Sequence, residues 1–162
     1  MLNMSQSRNL IIIVIFGLVG LGALYSFADT QVKEAINLVH ESRERVAYSD
    51  DSSIFSSTAN LFYVFRLENP TDIDILYSSY YEVYFEGTYI TTFEFEILVP
   101  AKRSITVDVT AFVGTEGVEA LEDLYWATDG EIHYEGSFSG KGTYLLFTIS
   151  KSWAEEWDMP IE

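Results

Sequence analysis

Cysteine is absent from this 162-residue chain, histidine occurs twice, proline three times, and lysine and arginine together only nine times. Without cysteine there is no disulfide, no thiolate metal site and no cysteine nucleophile, and the redox compartment stays open. Two histidines, His40 and His133, are too few for a histidine-built metal centre, and no spacing supplies the third partner of a Ser-His-Asp triad. Both are expected to be structural or surface side chains. From residue 29 onward eight basic residues face 25 acidic ones, a balance of −17. Such a charge repels nucleic acid and anionic headgroups, so no nucleic-acid partner is expected. A solvated acidic surface accounts for it, and a salty or cation-rich exterior would suit it.

What the chain has in quantity is apolar and aromatic residues, 48% and 15%, with 11 Tyr and 11 Phe. That content favours sheet and one well-buried core, and the length fits one domain with an appendage. The appendage is residues 10–28, LIIIVIFGLVGLGALYSFA, 19 residues without a charge. About 20 apolar residues cross a bilayer as a helix. This segment reads as a transmembrane anchor or a signal peptide. Arg8 before it and Ser26-Phe27-Ala28 at its end suit a signal peptide. Its length, and Tyr25 and Phe27 at the expected membrane surface, favour an uncleaved anchor. The lipid bilayer is then the first partner. Lys33, Arg43 and Arg45 follow the span more densely than Arg8 precedes it, but acidic residues interleave them; the large domain is expected outside the cytoplasm, with the sequon Asn3-Met4-Ser5 inside.

After a short tail (1–9) and the span (10–28), residues 29–57 read as a helical stalk and linker. Val32, Ala35, Ile36, Val39 and Val46 recur at helical spacing, Glu41 stands four residues before Arg45, and the Ser- and Asp-rich 48–58 follows. The stalk could also pair with a partner or a second copy, although no heptad pattern persists. The sandwich domain is expected over 58–152, and an acidic tail over 153–162.

Within that domain, LFYVFRLENP (61–70) alternates, and Pro70, which lacks an amide hydrogen, stops the strand after Asn69. Further strands are expected at 73–77, 81–86, 89–99 and 104–112. They are separated by turns at Gly87-Thr88 and Pro100-Ala101. A helix is expected over 116–127, ended by Gly130, and a hairpin of 132–138 and 144–153 around Gly140-Lys141-Gly142. Seven strands with one polar and one apolar face make a two-sheet sandwich. Its expected core holds Leu61 or Phe62, Val64 or Phe65, Ile73, Ile75, Val83, Phe85, Ile105, Val107, Val109 and Phe147.

No constellation compels chemistry. Asp72 with Asp74, Glu82 with Glu86 and Glu94 with Glu96 could hold Ca²⁺ weakly or act as acid and base, but no glycine-centred calcium loop accompanies them, and a solvated sheet face explains them. Gly140-Lys141-Gly142 is too short for a phosphate loop. Tyr80, Tyr81, Tyr84, Tyr89, Trp153 and Trp157 are either core or a binding patch for sugar or protein. No catalytic residue, metal ligand or cofactor site is assigned.

The run FRLENPTDIDILYSSYYEVYFEGTYITTFEFEILVPAKRSITVDVTAF resembles the type 2 late embryogenesis abundant domain, also called the water stress and hypersensitive response domain. The shared features are a strand ending in Asn69-Pro70, alternating Ile73 and Ile75, a turn at Gly87, and a Pro-Ala-Lys-Arg-Ser corner at Pro100. The likeness covers about residues 58–152; Thr88-Tyr89 after Gly87 and the strong acidity depart from it. It implies an immunoglobulin- or fibronectin-III-like sandwich with one helix, behind a membrane anchor or signal, without enzymatic activity. It gives Asn69, Pro70, Gly87 and Pro100 the role of structural turns. The function so implied is noncatalytic, either shielding client proteins under water stress or binding a partner. The alternative is a structural subunit of a cell-envelope or pilus-like assembly, joined through the N-terminal helix, although a pilin-like leader would need a basic residue and glycine where Ser7-Arg8-Asn9 stands.

Overall fold

The computed structural model describes residues 4–50, 58–126 and 130–160. Asn3 of the sequon and residues 51–57 of the expected linker lie outside the described residues. The order is α1 (Met4–Glu41), β1 (Glu44–Asp50), β2 (Ala59–Asn69), β3 (Ile75–Phe85), β4 (Thr88–Val99), β5 (Arg103–Val113), α2 (Thr115–Trp126), β6 (Glu131–Tyr144) and β7 (Phe147–Pro160). A three-stranded sheet, β1-β2-β5, faces a four-stranded sheet, β4-β3-β6-β7, and all pairs are antiparallel. This is the expected immunoglobulin/fibronectin-III-like sandwich, mainly β with one helix inside the sheet region and a long one before it.

The alternation of β2 resolves in one direction. Leu61, Phe65, Leu67 and Asn69 are buried, while Phe62 is exposed and Val64 half-buried. Ile73, Ile75, Val83, Phe85 and Val109 join the core as expected. Ile105, Val107 and Phe147 pack against its margin, only partly covered. The expected strands at 73–77 and 81–86 are one strand, β3, whose inner face carries Ile75, Tyr77, Ser79, Tyr81, Val83 and Phe85. The turn before β4 is Glu86-Gly87, with φ of 47° and 79°, the double left-handed conformation of a tight hairpin in which glycine is favoured.

The chain changes sheet at Asn69, which is fully buried. Its Nδ2 donates to the carbonyls of Ile73 (2.7 Å) and Val99 (3.0 Å), and its Oδ1 accepts from Thr71 N (3.1 Å) and Thr71 Oγ1 (2.7 Å). One amide thus satisfies the backbone of the bend and ties the end of β2 to the end of β4. Pro70 offers its carbonyl to Lys102 Nζ (2.6 Å), and Asp74 Oδ1 accepts Ala101 N (2.7 Å). The Asn-Pro bend and the Pro100 corner are therefore one bonded unit, whereas Gly87 lies at the opposite end of β3.

The largest departure from expectation is the stretch read as a stalk and linker. Ala28, Val32, Ala35, Ile36 and Val39 are fully buried inside the sandwich, and the chain re-enters as β1 along β2. Val46, counted on the helical stripe, is an exposed strand residue. Gly140 and Gly142 explain how a helix comes so close to a sheet. They sit inside β6 and not in a turn; a Cβ on Gly140 would run into Ile36, and one on Gly142 would come within 3.1 Å of Val32 Cγ1. The glycines form the floor of a groove, and the helix stripe fills it. Val32, Ile36 and Val39 contribute roughly 1.5–3 kcal/mol each by burial, an upper estimate. Lys151 Nζ donates to Asn37 Oδ1 (2.6 Å), fixing β7 to the same helix.

The β6–β7 turn consequently falls at Leu145-Leu146, and β7 continues to Pro160, so residues 153–160 are strand and not tail. Farther toward the N-terminus the side chains from Val14 to Phe27 are exposed, Phe16 by 72%. Helix α1 is the one helix among the described residues long and apolar enough to cross a membrane.

Candidate functional site: an arginine cleft between the sheets

Helix α1 ends where Ser42 Oγ, its one proton shared between the Val39 (2.7 Å) and Glu68 (3.0 Å) carbonyls, accepts Glu68 N (2.8 Å). That lock aims the next side chain, Arg43, inward. Its guanidinium lies 4.7 Å from the Phe138 ring centre, 5.9 Å from Trp157 and 6.0 Å from Tyr81. Arg45 follows two residues later on the strand and lies 5.9 Å from the Tyr63 ring. A register shift between Arg45 and Ala47 marks a bulge, beyond which β1 stays paired with β2 to Asp50. The two arginines border a cleft of ≈ 280 Å³ walled by Tyr63, Phe65, Tyr81, Phe93, Tyr134, Trp157 and Met159.

The electrostatics are the reverse of the rest of the chain. Among the described residues neither Arg43 nor Arg45 forms an ion pair. Arg43 Nη1 and Ser79 Oγ are buried with no partner at hydrogen-bond geometry, both residues lying beside the Tyr77 hydroxyl. The nearby carboxylate, Glu155, is engaged by His40 Nε2 (3.3 Å) and Trp153 Nε1 (3.0 Å). Tyr77, beside Arg43, has its hydroxyl pushed up to about 12 by burial, with the guanidinium opposing. Burial likewise raises Tyr81 and Tyr134, and the arginines pull against it. A cation in an aromatic box gains from the ring faces, but an unpaired buried N–H is costly unless an acceptor completes it. The arrangement can hold an anionic group attached to a flat apolar body. It offers no nucleophile paired with a base.

His40 belongs to this inner region, its Nδ1 2.8 Å from Tyr77 Oη. His133 lies on the outer face of the four-stranded sheet, its Nδ1 2.7 Å from Asp158 and its Nε2 3.4 Å from Glu135. The two histidines are thus on opposite faces. Also outside, Tyr80 and Tyr84 donate to one carboxylate, Glu82, at 2.6 and 2.5 Å. Those bonds hold Glu82 below its usual range and push Tyr84 up to about 12. The six aromatics considered as one patch divide: Tyr80, Tyr84 and Tyr89 face outward, while Tyr81, Trp153 and Trp157 line the inner side. Glu86 sits in the turn, away from the face that carries Glu82, and Asp74 caps Ala101. Among the described residues no three His, Asp or Glu side chains gather as a metal site would require.

Asn69, Pro70 and Pro100 share the bonded corner and do not enter the cleft, and Gly87 is remote from both. In the sequence Arg43 and Arg45 read as flanking charges of the span, and Arg45 as the helical partner of Glu41; α1 instead ends at Glu41 and Arg45 stands on β1. The available signal was two arginines at strand spacing directly after a helix, in a chain with few cations.

No protein-family model and no curated protein matches the chain. Among solved structures it is similar to a crystal structure of a protein from Archaeoglobus fulgidus, at 7% identity and TM-score 0.43, over 74% of this chain and 98% of the other. It is also similar to a solution structure from Arabidopsis thaliana, at 17% identity and TM-score 0.37, over 72% and 81%. A third is described as a late embryogenesis abundant protein, at 12% identity and TM-score 0.30, over 88% and 86%. At such identities and TM-scores none of the three assigns a family or a function.

Proposed function

We propose that this protein is a noncatalytic binding domain tethered to a membrane by α1, with its sandwich outside the cytoplasm. The observation that carries the reading is the division of one unbroken helix. Residues 14–27 expose their apolar side chains, and from Ala28 the same helix is locked into the sandwich core. Exposed Val, Ile, Leu and Phe over such a length are disfavoured in water and suited to hydrocarbon. Binding is favoured over catalysis because the cleft presents rings and two cations without a carboxylate partner among the described residues, while both histidines are engaged with Tyr77, Glu155, Asp158 and Glu135. It is also favoured over assembly through a free helix, since the stripe from Ala28 to Val39 is consumed by the protein's own core. Shielding of client proteins under water stress is the second reading, supported by the resemblance of residues 58–152.

Protease added to intact cells is expected to remove the sandwich and leave a membrane-bound stub containing residues 10–28. A mature chain starting near residue 29 would overturn the anchor, and protection until lysis would overturn the orientation. Crosslinking in cells is expected to recover a stoichiometric partner. Protection of several unrelated clients from drying, beyond an acidic control protein and without such a partner, would replace binding by shielding.

A further inference from the structure

The β6–β7 turn carries a residue choice that turn geometry does not explain. Leu145 has φ of 56°, a conformation that favours glycine or asparagine and is disfavoured for a branched side chain. Leu145 is 56% and Leu146 90% exposed. Two leucines at the tip of a hairpin, one in a strained backbone conformation and both in water, are disfavoured twice over, and strain of this kind is a pointer to function.

Their position supplies the reason. Along the helix, Gly142 lies against Val32, Tyr144 lies 6.0 Å from Phe27, and Phe147 lies 5.3 Å edge-on from Tyr25. The hairpin therefore runs down α1 toward its apolar half and ends beside it. Tyr25 is three residues inside the end of the 10–28 segment, so at 1.5 Å per residue the rings sit about 5 Å below the edge of the hydrocarbon, and the leucines lie beyond them. Tyr25, Phe27, Tyr144 and Phe147 then form a short aromatic belt of the kind found at membrane surfaces.

We propose that the Leu145-Leu146 tip is a second membrane contact, inserted at the headgroup–acyl boundary of the leaflet from which α1 emerges. The inference rests on the membrane reading above. It adds that the sandwich is held against the bilayer at two points, with the Asn69 and Pro100 corners at the same end and the Glu86-Gly87 turn pointing away. The chain's negative charge does not oppose insertion into a zwitterionic surface.

The absence of cysteine makes the test direct. Single variants Leu146→Cys, Leu18→Cys and Thr88→Cys of the full chain, each carrying an environment-sensitive fluorophore, are placed in phosphatidylcholine vesicles containing lipids with nitroxide-labelled acyl chains. Leu18→Cys and Leu146→Cys are expected to be quenched severalfold more than Thr88→Cys. Quenching of Leu18→Cys with Leu146→Cys no different from Thr88→Cys would overturn the tip contact and leave the anchor standing. A shielded but unquenched label at Leu146→Cys would overturn it in favour of a protein covering the tip. An unquenched Leu18→Cys would overturn the membrane reading and this inference together. Leu145→Asn relieves the strained turn, so its denaturation midpoint in detergent is expected to rise; a fall would overturn the argument that the leucine is kept for something other than the fold.

Discussion

Gly140 lies directly beneath Ile36, with no room for a side chain between strand and helix. The close docking of α1 on the four-stranded sheet depends on that approach. Gly140→Ala is expected to destabilise the sandwich by about 1–3 kcal/mol through overpacking, and Ile36→Ala by about 2–5 kcal/mol through the cavity it leaves. In the double variant the added methyl occupies the vacated space, so the loss should fall short of the sum by roughly 0.5–3 kcal/mol. Chemical denaturation of the four proteins measures it; strict additivity would show that helix and groove are not in contact.

Asn69 makes four hydrogen bonds at the crossing between the sheets. Asn69→Ala abandons two carbonyls and two donors, and an unsatisfied buried group costs about 1–3 kcal/mol. Asn69→Asp keeps the acceptor and loses both donors, so it too should be destabilised. Asp72, whose side chain is 83% exposed and only 3.6 Å-paired to Lys102, should tolerate alanine within about 0.5 kcal/mol. Thermal midpoints that ranked Asp72→Ala with Asn69→Ala would remove the corner from its structural role.

For Arg43 the expectation is inverted. Methionine keeps the stem among the rings and removes a half-buried charge that has no carboxylate, so the relieved desolvation offsets the lost cation–π contacts. Arg43→Met should therefore leave the melting midpoint unchanged or raise it. Benzoate, a carboxylate on a flat ring, should raise the midpoint of the unaltered protein and lose that effect in Arg43→Met, with benzylamine inactive in both. Equal shifts by benzoate and benzylamine would show that the cleft does not read charge.

The histidines should give stability opposite pH slopes. Burial, with Arg43 adding, holds His40 below its ordinary value of 6.5, and its Nδ1 accepts the Tyr77 hydroxyl only when neutral. Its contribution is present above about pH 6.5 and lost as pH falls through the depressed folded value. The bond to Asp158 raises His133, so its contribution is present below about pH 6.5 and lost as pH rises through the raised folded value. Denaturation midpoints between about pH 5 and 8.5 should therefore lose their acid-side decline in His40→Gln and part of their alkaline-side decline in His133→Gln. Unchanged slopes in both variants would show the protonation states to be assigned wrongly.

Local pattern determined much of this protein. Period-two alternation, a proline that ends a strand and a glycine that permits a tight turn act through neighbours in the chain, so β2, β4, β5, α2 and the two-sheet architecture were legible in the residues themselves. So was the uncharged run, because length and composition alone make a helix a candidate for a bilayer. The tertiary structure decided what needs a partner distant in sequence. The stripe from Ala28 to Val39 looks the same whether it faces solvent, a second copy or a sheet; only the glycine groove, more than a hundred residues later, makes it core. Gly140 and Gly142 read as a turn because glycine permits turns, yet the same missing side chain also permits close packing, and the helix above them settled which. Arg43 and Arg45 looked like flanking charges until the closing of the two sheets surrounded them with rings. The side a strand shows to its neighbour is written in its own sequence, whereas the identity of that neighbour is set by which surfaces fit when the whole chain packs.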